Sequence, residues 1–231
     1  MRGERAWSAV SPLPLTSYLS PLTTFIPLTY DQAIDFLFPR TTTIKFGLGT
    51  TRALLAEVGT PQDVMPLVHV GGTNGKGSVC TLLASVLREA GWRVGLYTSP
   101  HLVSFRERIR VDGEPISEAA VAMWTERLKS LIRRRAATFF EATTAIALAD
   151  FAARGAEIGV IEVGLGGRLD STNVIRPLVL VGEDEAPSRK FFYHLFFLEF
   201  SQNPDQGTPL RFVQAKAALD AVQVGAIWCN L

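Results

Sequence analysis

The sequence predicts an α/β fold with a mostly parallel sheet flanked by helices, and three observations predict it. Apolar runs at 67–70, 92–97 and 158–163 have the length of buried strands. Stretches with apolar residues at helical spacing lie between them, and glycines punctuate the junctions. Strands alternating with helices in this way build parallel sheets through right-handed crossovers.

The elements follow in chain order. The first 28 residues are rich in Ser, Thr and Pro and carry Arg2 and Arg5. Prolines interrupt every possible apolar core of a targeting segment there, so 1–29 is expected to be a disordered extension. Globular text begins at Tyr30. Ala53-Leu54-Leu55-Ala56 reads as helix, stopped by Gly59 with Pro61 beyond it. Leu67-Val68-His69-Val70 reads as a buried strand. Val79, Leu82, Leu83, Val86, Leu87 and Ala90 then mark one helical face, closed by Gly91, and 92–97 supplies the next strand. Residues 67–97 thus form a βαβ unit. Alternation around Asp112-Gly113 signals a hairpin. Ser117 can cap a helix running from Glu118 toward Arg135. Another helix is expected from Glu141 to Arg154 with Gly155 as its stop, and 158–163 is the third strand.

Composition narrows the function classes. With 23 Lys+Arg against 22 Asp+Glu in 231 residues, there is no broad basic surface for nucleic acid. The run Arg133-Arg134-Arg135 reads as a solvated helix end. No stretch is long and apolar enough to span a bilayer, so no membrane partner is expected. Cys80 and Cys229, far apart in sequence, fit reduced thiols of a cytoplasmic protein better than a disulfide.

Chemistry concentrates in "HVGGTNGKGSV", residues 69–79. A strand, a glycine-rich turn and a helix start make a cradle for an anion. Glycines bring backbone N–H groups close to a phosphate, and the helix N-terminus adds partial positive charge. Lys76 supplies a mobile full charge for the terminal phosphates of a nucleotide. The fold is therefore expected to be P-loop-type. The usual spacing G-x-x-x-x-G-K-[ST] is not met, however. Val70 stands at the first glycine's place, Gly77 at the hydroxyl residue's, and Ser78 comes one position late.

That departure has its own meaning. "GTNGKGS" resembles the phosphate loop of the Mur ligase superfamily. "GLYTSPHLVSFRERIRVDGEPI" (95–116), "TFFEATTAIAL" (138–148) and "IEVGLGGRLDSTNVI" (161–175) match one branch of it in order. Together these stretches, from Tyr30 to Pro177, resemble the folylpolyglutamate synthase/dihydrofolate synthase family.

The resemblance implies a Mur ligase central-domain-like fold over 30–177 and an ATP-dependent amide ligase. Such an enzyme adds L-glutamate to dihydropteroate or a folate through an acyl phosphate, with Mg2+ as metal and as a monomer. It implies ATP contacts from Thr73, Asn74, Gly75, Lys76 and Gly77, with Lys76 catalytic and Ser78 opening the helix beside the phosphates. Ser99 and Glu162 match magnesium positions; both offer hard oxygens at the carboxyl end of an expected parallel strand, where open α/β sheets place ligands. Phe140, Glu141, Leu169, Asp170 and Ser171 match stretches that contact dihydropteroate, whereas Phe139 is expected to be core. His101 could orient substrate or cap its loop.

Two departures bear on activity. Gly49 and Thr50 stand where the family has an acid followed by a basic residue. Beyond Pro177 the text does not align with the family's third magnesium position, a histidine, and His194 is not assigned to metal. Residues 178–231 are thus expected to be an atypical tail, with the C-terminal ligase domain absent. The alternative expectation is a catalytically incomplete nucleotide-binding remnant of such a ligase.

Overall fold

Alternating strands and helices build a single sheet in the computed structural model, which describes residues 28–42, 45, 47–165, 168–175, 179–181 and 196–197. Residues 1–27 of the extension expected over 1–29, most of the tail expected over 178–231, and Cys229 lie outside the described residues. The strands are β1 (Leu67–Val70), β2 (Val94–Tyr97), β3 (Ile109–Val111), β4 (Glu114–Pro115), β5 (Ile158–Glu162), β6 (Val179–Val181) and β7 (Phe196–Phe197). They lie in the order β4-β3-β2-β5-β1-β6-β7. β2, β5, β1 and β6 run parallel, while β3–β4 and β7 add antiparallel edges. β6 continues the sheet just past the boundary expected at Pro177. The Asp112–Gly113 turn joins β3 to β4 with both residues at positive φ, 55° and 83°, as a two-residue hairpin of matching twist requires.

Five helices flank the sheet among the described residues: α1 (Tyr30–Leu37), α2 (Gly49–Glu57), α3 (Lys76–Glu89), α4 (Glu118–Arg135) and α5 (Phe139–Ala153). Strand alternation decides which side chains each face buries. Val68, Val70, Val94, Leu96, Ile158 and Val160 form one core with α3. Leu67, Tyr97 and Ile161 point into a larger core that gathers α1, α2, α4 and α5. Helix α5 is buried nearly all round and accordingly rich in alanine, with Ala142, Ala145, Ala147 and Ala149 at 2% exposure or less.

Three local differences from the sequence reading have physical causes. Helix α5 begins at Phe139 rather than Glu141, because Thr138 and Glu141 form a reciprocal capping box. Helix α3 begins at Lys76, two residues before Ser78, because left-handed Gly75 turns the chain directly into it. The buried face of α3 is Cys80, Leu83, Ala84 and Leu87, and Leu82 is 49% exposed. Small Cys80 and Ala84 let the helix lie close to the sheet, which rolls the edge of the expected stripe outward. Ser117 caps α4 as expected, accepting from the amide of Ala120.

Candidate functional site

The carboxyl ends of β1, β2 and β5 lie side by side, and the chain leaves each of them in an irregular segment. This is where open parallel sheets collect ligands. After β1, Gly75 adopts φ 74°, and α3 starts with neither a side-chain cap nor an acidic residue in its first turn. Its first N–H groups and partial positive charge are therefore left for an anion. Lys76 folds over the same turn, its Nζ donating to the carbonyls of Gly72 at 2.9 Å and Thr73 at 3.3 Å. Thr73, Asn74 and Ser78 are exposed around it.

Glu162, the last residue of β5, is 4% exposed. Its Oε2 accepts the amide of Ser99 at 2.7 Å, which ties the loop after β2 to the end of β5. Both Glu162 carboxylate oxygens lie 3.6 Å from where a Cβ on Gly77 would stand, so the α3 N-terminus faces the carboxylate with no side chain between. Burial raises the Glu162 pKa, against the opposing pull of the Ser99 amide, Lys76 and Arg108. Lys76, Gly77, Ser99 and Glu162 are thereby brought together. Gly77, Ser99 and Glu162 border a cleft of about 460 Å³ that continues between α3 and β3 past Thr81 and Arg110.

A hydroxyl and a buried carboxylate next to a phosphate cradle are hard oxygen donors of the kind Mg2+ takes. No group of three or more His, Cys, Asp or Glu is clustered for a metal among the described residues. Magnesium fits that pattern, because it is commonly held by one or two protein oxygens, with phosphate and water completing the shell.

The loop after Ser99 is braced by Glu107, whose carboxylate accepts the amides of Leu102, Val103 and Ser104. The Leu102 and Ser104 amides are the main causes that pull its pKa below the usual carboxylate range. Arg108, which the sequence reading did not single out, is 8% exposed. Its Nε donates to His101 Nδ1 at 2.7 Å, and its guanidinium lies 5.1 Å over the Phe139 ring. A buried arginine this close to Glu162 is a candidate anion contact. No local pattern in the sequence marked it, because it ends the 3-10 turn Phe105–Arg108 among other charged residues. His101 thus sits between Arg108 and the Phe38 and Phe105 rings, its pKa lowered by burial and then by Arg108.

The residues matched to the dihydropteroate stretches are more dispersed. The half-buried Phe140 ring lies against Gly164, two residues past Glu162, where a Cβ would come within 2.3 Å of it. Glu141 is 2% exposed and its carboxylate accepts the amide of Thr138 at 2.7 Å, so that carboxylate is engaged at the helix start. Phe139 is core, edge-on to Phe38 and Phe105. Leu169 is 44% exposed, whereas Asp170 and Ser171 are buried at 6% and 7%. Asp170 accepts the amides of Leu165 at 2.7 Å and Thr172 at 2.9 Å, fastening the segment that follows Glu162.

No family profile matches the chain. It is 43% identical over 155 residues to the probable bifunctional folylpolyglutamate synthase/dihydropteroate synthase of Haloferax volcanii, covering 64% of this chain and 18% of that protein. To the dihydrofolate synthase/folylpolyglutamate synthase of Bacillus subtilis it is 41% identical over 145 residues, covering 60% of this chain and 34% of that one. Its fold is similar to that of Escherichia coli FolC in complex with DHPP and ADP. The TM-score is 0.63 at 35% identity, over 70% of this chain and 39% of the other. The chain thus spans 18% and 34% of the length of these two curated relatives.

Proposed function

We propose that this chain belongs to the folylpolyglutamate synthase/dihydrofolate synthase family and that its phosphate loop serves ATP-dependent amide formation between L-glutamate and dihydropteroate or a folate. One observation carries the proposal: Lys76, the uncapped start of α3, Ser99 and Glu162 converge at the carboxyl ends of the central strands. The ADP-bound Escherichia coli neighbour supports the nucleotide part.

In this reading the β- and γ-phosphates of ATP lie on the amides of Gly75, Lys76 and Gly77, with Thr73, Asn74 and Ser78 around them. The Lys76 ammonium moves from its carbonyls onto the phosphoryl oxygens. Ser99 Oγ and the Glu162 carboxylate would hold magnesium, which would supply charge neutralisation at those phosphates. A carboxylate oxygen of the acceptor attacks the γ-phosphorus; the bond to the β-phosphate oxygen breaks and its electron pair leaves with ADP. The glutamate amine then attacks the acyl carbon, the C–O bond to phosphate breaks, and the amine gives up a proton. Positioning and charge neutralisation account for most catalysis in such transfers, so no acidic nucleophile from the protein is needed. Phe140, Leu169, Asp170 and Ser171 border the acceptor in this reading, with Glu141 acting through the α5 cap. Buried, unbridged Cys80 accords with action in the cytoplasm, and we propose a monomer.

The test is ADP release by the full chain with ATP, magnesium, dihydropteroate and L-glutamate. Release that stops when glutamate is omitted supports the ligase. The second reading, a nucleotide-binding protein without ligase activity, is favoured by Gly49 and Thr50, which stand where the family has an acid followed by a basic residue. ADP binding with no glutamate-dependent release would select it.

A further inference from the structure

His69 lies in β1, one residue before the strand ends, 2% exposed and on the face opposite α3. Its Nε2 lies 2.8 Å from Thr172 Oγ1. The Thr172 hydroxyl in turn donates to Asp170 Oδ1 in a short hydrogen bond. A threonine hydroxyl has one proton to give, and a carboxylate only accepts. The direction of the chain is therefore fixed: Nε2–H of His69 donates to Thr172, and Thr172 donates to Asp170. Nδ1 is then the bare nitrogen, buried and without a hydrogen-bond partner among the described residues. Burial pushes the pKa of this imidazole down to about 4, against a smaller upward pull from Asp170. The ring is neutral in a single tautomer.

We propose that His69 is a positioning residue that locks the strand feeding the phosphate loop to the Leu165–Ser171 segment through Thr172 and Asp170. Asp170 alone ties Leu165 to Thr172. His69 connects that pair to β1, one residue from the Val70 that opens the phosphate loop. Without the Nε2–H donor, Leu169, Asp170 and Ser171 lose their fixed placement relative to Lys76, while the sheet register between His69 and Ile161 remains. No reaction step passes through the imidazole. Only the kinetic part of the inference rests on the ligase reading.

Imidazole 15N NMR on the full chain at pH 7 tests the tautomer: a protonated Nε2 and a bare Nδ1 are expected, and the opposite pattern overturns the proposal. Amide hydrogen exchange tests the lock. His69→Leu should speed exchange at Leu165 roughly 3- to 10-fold, in line with one lost hydrogen bond, while β1 amides change little. His69→Gln, whose amide nitrogen reaches a similar place, should restore most of the protection. Equal acceleration across β1 and Leu165, or no rescue by Gln, overturns the lock. Should His69→Leu fail to fold, Thr172→Val against Thr172→Ser poses the same question from the middle of the chain. In the ligase assay His69→Leu should raise KM for dihydropteroate and leave ADP affinity unchanged. A chain without turnover still gives a decisive answer from the two NMR measurements.

Discussion

Gly95→Ala probes the contact that sets how far α5 stands from the sheet. Gly95 and Gly159 are register partners on β2 and β5, and the Phe151 ring of α5 lies over both. A Cβ on Gly95 would fall 2.6 Å from Phe151 Cγ and Cδ2 and 2.9 Å from Cδ1, whereas carbons in contact prefer about 3.5–4.0 Å. Because Cγ itself is struck, a ring flip brings no relief, and Phe151 is 0% exposed. The helix must back away by roughly 1 Å. Overpacking of this kind costs about 1–3 kcal/mol, and obstruction at the ring's root places this case near the upper value. The opposing gain from a less flexible unfolded chain is about 0.4–1 kcal/mol, so destabilisation wins by roughly 2 kcal/mol. At about 2–4 °C per kcal/mol for a chain of this size, Tm should fall by roughly 4–8 °C. Thermal unfolding followed by circular dichroism measures it. Phe151→Leu in the same background should recover part of the loss, since contacting residues couple. A Tm within 1 °C of the parent, or additive effects of the two substitutions, would refute the reasoning.

Three further outcomes are expected. Burial raises the Asp150 pKa from 3.8 to about 6, with Arg154 pulling the other way, so the folded state holds more protons than the unfolded one between those values. Stability from this group therefore rises as pH falls through 6; in Asp150→Asn that gain is absent, and the stability difference between the two should move by about 2 kcal/mol in the parent's favour between pH 7 and pH 4 in urea titrations. Glu162→Gln should retain metal-free ADP binding and lose the magnesium-dependent gain. Outer partners of a metal already matter 10-fold or more, so this loss should be at least roughly tenfold by calorimetry. Glu107→Ala should speed amide exchange at Leu102, Val103 and Ser104 together, and unchanged exchange there would contradict the bracing described for that loop.

Much of the fold was legible because its signals are local. Three apolar runs gave β1, β2 and β5, and the Asp112–Gly113 pair gave the hairpin. Ser117 gave the start of α4. The start of α5 was missed although Thr138-x-x-Glu141 is a capping-box signature; its acid was matched to a substrate stretch instead. Leu82 was placed on the buried face because periodicity marks a stripe without saying where a sheet will press on it. In the site, Lys76, Ser99 and Glu162 could be named from glycine spacing and family motifs, but their convergence depends on β5 inserting between β1 and β2, which no local pattern encodes. Arg108 and the His69–Thr172–Asp170 chain were not legible at all. Their roles arise from hydrogen bonds between residues up to 103 positions apart.

The central claim is that the turn from β1 into α3, with Lys76 over it, holds nucleotide phosphates. Titration of the full chain with ADP and magnesium, beside Lys76→Ala under identical salt, tests it most directly. The account predicts saturable binding by the parent and a roughly 10- to 100-fold weaker affinity in the variant, the range for losing a hydrogen bond to a charged group. No binding by the parent, or equal affinity in Lys76→Ala, would contradict it.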